Sequence, residues 1–191
     1  MIVFIDLEAS SLTHGGYPIE VGWAIVDGIT SIVSVESHLI KPTKTWKEDG
    51  HWDEVSAQVH HIQREKLDCD GEPVGDVCQR LVEKLAGVHC YTDNMQLDGR
   101  WLGILFGAWT GRDMIIPQDG LRMRLHDFWS LMSAPLFSDE ALLHADAKLS
   151  GIPVPHRAGA DAERLARRYV LARSYDEKHH NLRGRSRDDL T

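Results

Sequence analysis

The first residues of the chain constrain its fold more than any other segment. Residues 2–5 read Ile-Val-Phe-Ile, a β-branched and aromatic run typical of a buried central strand, and Asp6 follows at its end. Two more β-type runs occupy residues 19–26 and 31–40, separated by Asp27-Gly28, which favours a hairpin turn. The N-terminal segment therefore predicts a central strand beside an antiparallel pair.

Helical and strand patterns alternate along the rest of the chain. A polar stretch at residues 41–70, in which 53–61 favour a short helix, precedes a helix between Pro73 and Gly87. The later predicted elements are a strand at 88–91, a helix at 97–109, a strand at 122–125 and helices at 139–149 and 162–170. This order predicts one α/β domain over residues 1–175, with a mixed five-stranded sheet flanked by helices. We expect residues 176–191 to form a polar, mobile tail.

The charge of the chain limits how it meets its partners. With 21 Lys and Arg against 29 Asp and Glu, the formal net charge is −8, which argues against binding nucleic acid through overall positive charge. No apolar run is long enough to span a bilayer, and the three cysteines show no C-x-x-C spacing. We therefore expect a cytoplasmic protein with reduced thiols, no membrane partner, and contacts to phosphodiesters that are local or mediated by metal.

Four carboxylates stand where the predicted elements bring acidic side chains together. Asp6 and Glu8 are two residues apart, so on a continuing strand both point to the same face. Asp98 begins the helix after the fourth strand, and we prefer it to Asp93 because the apolar residues after it turn Asp98 toward the strand tips. Each carboxylate alone also fits a solvated strand or helix end. Together with Asp161 they predict an oxygen-rich site for hard cations such as Mg²⁺ or Mn²⁺, which supports two-metal phosphoryl chemistry.

His156 is a candidate general base beside these carboxylates. The segment His156-Arg-Ala-Gly-Ala-Asp161 is small and flexible, so it allows the imidazole to move while Asp161 stays in the first turn of the last helix. A histidine that titrates near neutrality is suited to activating water. The alternative is an ordinary surface histidine, one of 11 in the chain.

Three of these segments resemble a known family. Phe-Ile-Asp6-Leu-Glu8, Asn94-x-x-x-Asp98 and His156-Arg-Ala-Gly-Ala-Asp161 are similar, in order and spacing, to the three motifs of the DEDDh 3′–5′ exonucleases. That family includes the proofreading subunit of bacterial DNA polymerase, ribonuclease T and oligoribonuclease. The resemblance covers nearly the whole chain. It implies a ribonuclease H-like fold, stepwise release of nucleoside 5′-monophosphates from 3′ ends of single-stranded DNA or RNA, and a homodimer.

The resemblance also implies roles for individual residues. It makes Asp6, Glu8, Asp98 and Asp161 the ligands of two divalent ions, Mg²⁺ or Mn²⁺, and His156 the general base. The substrate-binding residues that it implies follow the second carboxylate or lie in the segment 59–62: Ala9, Ser10, Ser11, Leu12, His61 and Ile62. The chain departs from the family where Ala9-Ser10-Ser11 replaces the usual Thr-Gly and Leu97 replaces the usual aromatic. Both departures concern substrate fit.

Two other functions stay open, namely a non-catalytic nucleic-acid-binding module of the same fold and a phosphoesterase on small nucleotides. Arginines of the last helix and tail form either a local basic surface or a solvated face: Arg164, Arg167, Arg168, Arg173, Arg183, Arg185 and Arg187. Tryptophans are candidate platforms for stacking bases, although the helical pair 101 and 109 fits a core or interface better: Trp46, Trp52, Trp101, Trp109 and Trp129.

Overall fold

A computed structural model of the protein describes residues 1–27, 31–111, 123–133 and 137–188. The strands are β1 (Ile2–Ala9), β2 (Pro18–Asp27), β3 (Ser31–Leu39), β4 (His89–Thr92) and β5 (Arg124–Asp127). The helices are α1 (Lys44–Asp49), α2 (Glu54–His60), α3 (Arg64–Asp70), α4 (Val74–Leu85), α5 (Met95–Thr110), α6 (Phe128–Met132), α7 (Asp139–Leu149) and α8 (Ala158–Asp188).

The strands form one mixed sheet in the order β3-β2-β1-β4-β5. Strand β2 is antiparallel to both β1 and β3, whereas β1, β4 and β5 run parallel to one another. The predicted mixed five-stranded sheet, with an antiparallel pair beside the first strand, is confirmed. Because the parallel strands share a direction, their carboxyl ends open on one edge of the sheet, where sites of α/β proteins usually form.

Strand β1 is longer than its apolar run and continues through the two carboxylates. Asp6 and Glu8 pair with Gly22 and Glu20 of β2, so the backbone stays extended until the register shifts after Glu8. Successive side chains alternate between the faces of the sheet. Asp6 and Glu8 therefore share the face of Phe4, whose ring lies 5.6 Å from that of Tyr169 on α8.

The two faces of the sheet are covered by different helices. On one face, the odd-numbered apolar residues of β1 pack with α4 and α5, and on the other Phe4 packs with α6, α7 and α8. A third, smaller cluster beneath α2 and α3 contains Tyr17, Ile19, Ile62 and Leu67. The carboxylates of β1 thus lie on the α8 side of a sheet that is buried on both faces.

Two glycines let the start of α8 lie directly on the sheet. A Cβ atom at Gly22 would lie 2.1 Å from the backbone nitrogen of Gly159, and a Cβ at Gly159 would lie 2.8 Å from Ser37 Cβ. Both distances are below any van der Waals contact, so a larger residue at either position would push the helix away. The close approach places Asp161, in the first turn of α8, beside β1 and β2.

Some elements differ from the sequence prediction. Helices α1 and α3 divide a stretch predicted to be irregular, and Gly28 and Arg122, placed in a predicted turn and strand, lie outside the described residues. Helix α8 passes position 175 without a break, and Asp176 accepts hydrogen bonds from the backbone and hydroxyl of Ser138. The first residue of the predicted tail is therefore packed against the start of α7, and the mobility of the tail stays a prediction.

The remaining sequence expectations concern thiols and membranes. Cys69, Cys78 and Cys90 are all free of disulfides, and burial raises the pKa of Cys78 and of Cys90 to about 12. Both buried thiols are therefore protonated and unreactive at neutral pH. Among the residues described, no helix combines the length and the apolar character that crossing a membrane requires.

Candidate active site

Five carboxylates form one cluster at the carboxyl edge of β1. Oxygen atoms of Asp6, Glu8 and Asp161 lie within 4.8 Å of one another, and so do oxygens of Asp6, Asp93 and Asp98. Asp6 belongs to both groups and joins them. The structure thus brings together the four carboxylates predicted from the sequence and adds Asp93, which had been considered only as a competitor of Asp98.

Asp98 is fixed by both β4 and α5. It lies in the first turn of α5, whose cap Asn94 accepts a hydrogen bond of 3.2 Å from the backbone N–H of Leu97. The hydroxyl of Thr92, the last residue of β4, donates to the Asp98 carboxylate, which is buried. Because Thr92 is the strand end itself, the turn between β4 and α5 aims Asp98 at the neighbouring end of β1.

Asp161 has one carboxylate oxygen satisfied and one left over. Its Oδ2 accepts the backbone N–H of Arg157 at 3.1 Å, whereas its Oδ1 is buried with no hydrogen-bond partner among the described residues. A buried polar atom without a partner costs free energy, so its occurrence calls for an explanation. A cation bound between Asp161, Glu8 and Asp6 would supply the missing partner.

The pKa values of the clustered carboxyl groups show that the cluster favours positive charge. Burial, followed by repulsion from Asp98, Glu8 and Asp161, raises the pKa of Asp6 well above its ordinary value. Burial, and then repulsion from Asp161, raises the pKa of Glu8 to about 8. Burial also raises the pKa of Asp98 to about 7, against the hydrogen bond from Thr92. These raised pKa values mean that the cluster stabilises bound protons, or cations in their place, over uncompensated negative charge.

The donor set fits divalent cations of the predicted kind. Each of the five residues offers a carboxylate oxygen, the ligand that Mg²⁺ and Mn²⁺ prefer, and no thiolate or imidazole belongs to either group. Two overlapping groups that share Asp6 fit two neighbouring ions better than one.

The carboxylate cluster lies in a cleft of about 660 Å³ between two different walls. One wall, which we call the apolar wall, presents the exposed side chains Leu12, Val55 and Val59. The other, which we call the aromatic wall, presents Trp129, Arg164 and Arg168 from α6 and α8. A cleft with an acidic floor and apolar or aromatic sides suits a ligand that combines phosphates with planar rings.

His156 reaches the same cleft from an exposed segment. Residues 150–156 are all exposed and belong to no helix or strand, and His156 lines the cleft. Its φ is 48°, and His61 is the one other described residue besides glycine with a positive φ. Few residues adopt this left-handed conformation, and those that do are frequent at functional sites.

An ion pair holds the residue after His156 against β2. Arg157 donates two hydrogen bonds to Glu20, from Nε at 2.9 Å and from NH2 at 2.7 Å. Glu20, which is 1% exposed, also accepts from the hydroxyl of Ser37 at 2.7 Å and from the backbone N–H of Ala158 at 3.1 Å. Burial raises the pKa of Glu20, but the hydrogen bonds from Arg157 and Ser37 outweigh this effect and lower it. Glu20 therefore remains ionised. Because Glu20 pairs with Glu8 across β1 and β2, its contact with Arg157 holds the segment with His156 and Asp161 beside Glu8.

The predicted substrate segment after Glu8 divides into two parts. Ala9 and Leu12 line the cleft, and Leu12 is 62% exposed. Ser10 and Ser11 are buried instead, and their hydroxyls bond to the carbonyl and the Nδ1 of His51 at 2.7 and 3.0 Å. The serines thus hold the loop that presents Leu12, since they tie it to the residues before α2.

The predicted residues His61 and Ile62 lie away from the cleft. Helix α2 ends at His61 in the left-handed conformation, which leaves that side chain exposed, and Ile62 fills the small core cluster with Tyr17. His60 lines the cleft in their place. Burial lowers the pKa of His60 to about 4, so the ring is neutral. Helical patterning could not separate these neighbours, because the helix ends between them.

Comparisons with known proteins give results from structure alone. The chain matches no protein-family model and no curated protein. Among solved structures it is similar to E. coli exonuclease I in its zinc-bound complex with single-stranded DNA, with a TM-score of 0.68 and 14% identity over 95% of this chain and 42% of that one. It is also similar to the same enzyme with a dA16 oligonucleotide, with a TM-score of 0.67 and 17% identity over 91% of this chain and 40% of that one.

A third similar structure is close to this chain in length. S. pombe Pop2p, in its Mg²⁺- and Mn²⁺-bound form, matches with a TM-score of 0.61 and 16% identity over 89% of this chain and 81% of that one. The chain thus spans about two fifths of exonuclease I but most of Pop2p. The shared fold confirms the ribonuclease H-like architecture that the sequence resemblance implied, and the strand order agrees with it.

Proposed function

We propose that the protein is a DEDDh-type 3′–5′ exonuclease that removes nucleoside 5′-monophosphates from the 3′ ends of single-stranded nucleic acid with the help of divalent cations. One observation carries the proposal: two sets of three carboxylates have Asp6 in common, and His156 lines the same cleft. The fold shared with exonuclease I, solved with single-stranded DNA, supports it. The homodimer implied by the sequence resemblance is part of the same proposal.

Two ions are assigned to the two carboxylate groups. Asp6, Glu8 and Asp161 would hold one ion, and Asp6, Asp93 and Asp98 the other. Mg²⁺ or Mn²⁺ bound there would favour ionisation of the attacking water and stabilise the leaving oxygen. Without cations the carboxylates offer no positive charge to a phosphodiester, so hydrolysis would depend on metal.

His156 would accept the proton of the attacking water. The side chain is exposed while lining the cleft, so the imidazole has access to the reacting water on one side and to solvent on the other. Its charge also acts on Asp161, whose pKa burial raises and His156 lowers. The imidazole would then pass the proton to solvent after each turnover.

The apolar wall would receive the terminal nucleotide. Leu12, Val55 and Val59 are 62%, 67% and 44% exposed and line one cleft, and exposed apolar side chains that are grouped in this way mark binding surfaces. Leu12 stands only four residues after Glu8, so a sugar or base against it would lie next to the carboxylates. The wall offers apolar contact without any base-specific hydrogen bond, which suits removal of any terminal nucleotide.

The test is hydrolysis of single-stranded DNA and RNA labelled at the 3′ or the 5′ end, with Mg²⁺, Mn²⁺ or a chelator. We expect stepwise shortening from the 3′ end that stops in chelator and in Asp6→Asn. Asp49→Asn, which removes an exposed carboxylate at the end of α1, is the matched control and should retain full activity.

The same assay separates the alternative functions. Activity that falls as the oligonucleotide lengthens would identify a phosphoesterase on small nucleotides. Binding of oligonucleotides without cleavage under any metal would identify a non-catalytic module and overturn the proposal.

A further inference from the structure

One tryptophan combines exposure with a position in the cleft. Trp129 is 46% exposed and lines the cleft. Trp101 also lines it but is 1% exposed, and Trp109 is 43% exposed but lies outside it. Trp46 stacks on Tyr17 away from the cleft. Of the tryptophans that the sequence offers as stacking platforms, Trp129 alone meets both requirements.

The ring of Trp129 is held in place from one side. The guanidinium of Arg168, on α8, lies over it at 4.7 Å from the ring centroid. Arg168 is in turn paired with Asp146 of α7 at 2.8 Å. Two helices therefore fix the ring, and a base that stacks on it would not have to order a mobile side chain.

The position of Trp129 in the sheet places it across the carboxylates from Leu12. Strand β5 is parallel to β1 and ends at Asp127, so α6 starts at the edge of the sheet where the carboxylates lie. In sheet order β5 and α6 lie on the β4 side of β1, whereas Leu12 belongs to the loop that joins β1 to β2. The carboxylate cluster thus stands between the apolar wall and the aromatic wall.

We infer that Trp129 is the stacking platform for a base on the 5′ side of the scissile phosphate, so that the cleft binds at least two nucleotides of a single strand. This inference rests on the proposed function, because an exonuclease holds the scissile phosphate between the terminal nucleotide and the next. With the terminal nucleotide on the apolar wall, the remaining strand meets the aromatic wall. Stacking there is independent of sequence, since every base has a π-face.

The charges on the aromatic wall agree with this assignment. Arg164 and Arg168 line the cleft, and Arg164 donates to the carbonyls of Leu149 and Ile152 at 3.2 Å. Arg167, on the same helix, pairs with Glu163 outside the cleft. Two of these three arginines of α8 therefore line the cleft, where the phosphate backbone of a bound single-stranded nucleic acid would pass.

The test removes the ring and the base separately. Kd is measured by fluorescence anisotropy for 5′-labelled dT8 with Ca²⁺, and for dT8 carrying an abasic residue at the second or third position from the 3′ end. We expect Trp129→Ala to weaken binding of dT8 about 10-fold. For one of the two abasic strands, the one that lacks the stacked base, the wild-type protein and the variant should bind with nearly equal Kd. Such non-additivity identifies a direct contact. Trp129→Phe should restore much of the affinity, and Trp109→Ala is the matched control.

Binding and hydrolysis report on different claims. If the Trp129→Ala variant binds all three strands with the same Kd values as the Trp109→Ala variant, the stacking platform is overturned, even if the wild-type protein hydrolyses DNA. Equal losses on dT8 and both abasic strands would overturn it too, since the ring would then not contact a base. If the wild-type protein does not hydrolyse DNA but the effects of Trp129→Ala and of an abasic residue on binding are still non-additive, only the proposed exonuclease activity is overturned.

Discussion

The two halves of the candidate active site are built in opposite ways. Asp6, Glu8 and Asp98 lie on a central strand and at the start of a helix, and Asp98 is 3% exposed. His156 lies in an exposed segment with no regular structure. The carboxylates are placed by the same packing that forms the core, whereas the histidine depends on a few side-chain contacts. Metal binding should therefore survive changes that abolish proton transfer.

The exposed segment is fastened at both ends by arginines of α8 or just before it. Arg164 binds the carbonyls of Leu149 and Ile152, and Arg157 binds the carboxylate of Glu20. Between these contacts His156 adopts a positive φ. Residues 150–156 thus form a short loop that is held at both ends, and its freedom is confined to the residues next to His156.

The largest effect should come from the rigid half. Asp161→Ala should abolish hydrolysis, because it removes a ligand oxygen of the first group. The melting temperature of the metal-free protein should stay unchanged or rise, since the change removes a like charge and the unpaired Oδ1. Activity assays and thermal melts in chelator test this, and hydrolysis at the wild-type rate would show that the site is assigned wrongly.

The next effect should come from the exposed half. His156→Ala should slow turnover by ~10²–10⁴-fold, the range typical of removing a general base, while metal binding measured by calorimetry stays intact. His61→Ala is the matched control, because His61 is exposed and shares the unusual backbone conformation but lies outside the cleft. Loss of metal binding in His156→Ala would instead make this residue a ligand.

An intermediate effect should follow from weakening the ion pair between Arg157 and Glu20, which holds one end of the exposed segment. Arg157→Lys keeps the charge but loses the two-pronged contact with Glu20. We expect kcat to fall about 10-fold with KM nearly unchanged, because the substrate walls are untouched. Glu20→Ala leaves the buried backbone N–H of Ala158 without its acceptor and should lower the free energy of unfolding by about 1–3 kcal/mol. A rise in KM alone would contradict a positioning role for this pair.

The smallest effect concerns the stability of the metal-free protein. The pKa of Glu8 is raised to about 8 in the folded state, so the folded protein holds protons that the unfolded chain releases. Stability from this source is fully present below the pKa of the unfolded chain and is lost as the pH rises through about 8. The melting temperature in chelator should fall between pH 5 and 9, and Glu8→Gln should flatten that fall. A melting temperature that rises over this range would contradict the shift.

The fold and the carboxylates could be predicted because local patterns encode them. The apolar run before Asp6 and the position of Asp98 near a helix start are local features, and strand and helix geometry then brings these acids together. The sequence does not report partners distant in the chain. Glu20 and Arg157 are separated by 137 positions, although a charged residue inside an apolar strand pattern signals a buried ion pair.

Neighbouring positions on a short helix were the other difficulty. His60 rather than His61 lines the cleft, because α2 ends at His60 and His61 follows in the left-handed conformation. The apolar residues after Asp98 favour it over Asp93 in the sequence, but the turn between β4 and α5 presents both acids to the cluster. Trp129 could be singled out from the other tryptophans only once the exposed aromatic residues had been compared with the cleft.

Gly22 contributes no side chain to the carboxylate cluster, yet the position of Asp161 depends on it. Because a Cβ at this position would collide with Gly159, almost any substitution would move Asp161 away from Glu8 and pull one ion site apart. Selection for activity would therefore act on this glycine as strongly as on a ligand. In a screen for inactive variants, Gly22 should therefore appear among the acidic positions.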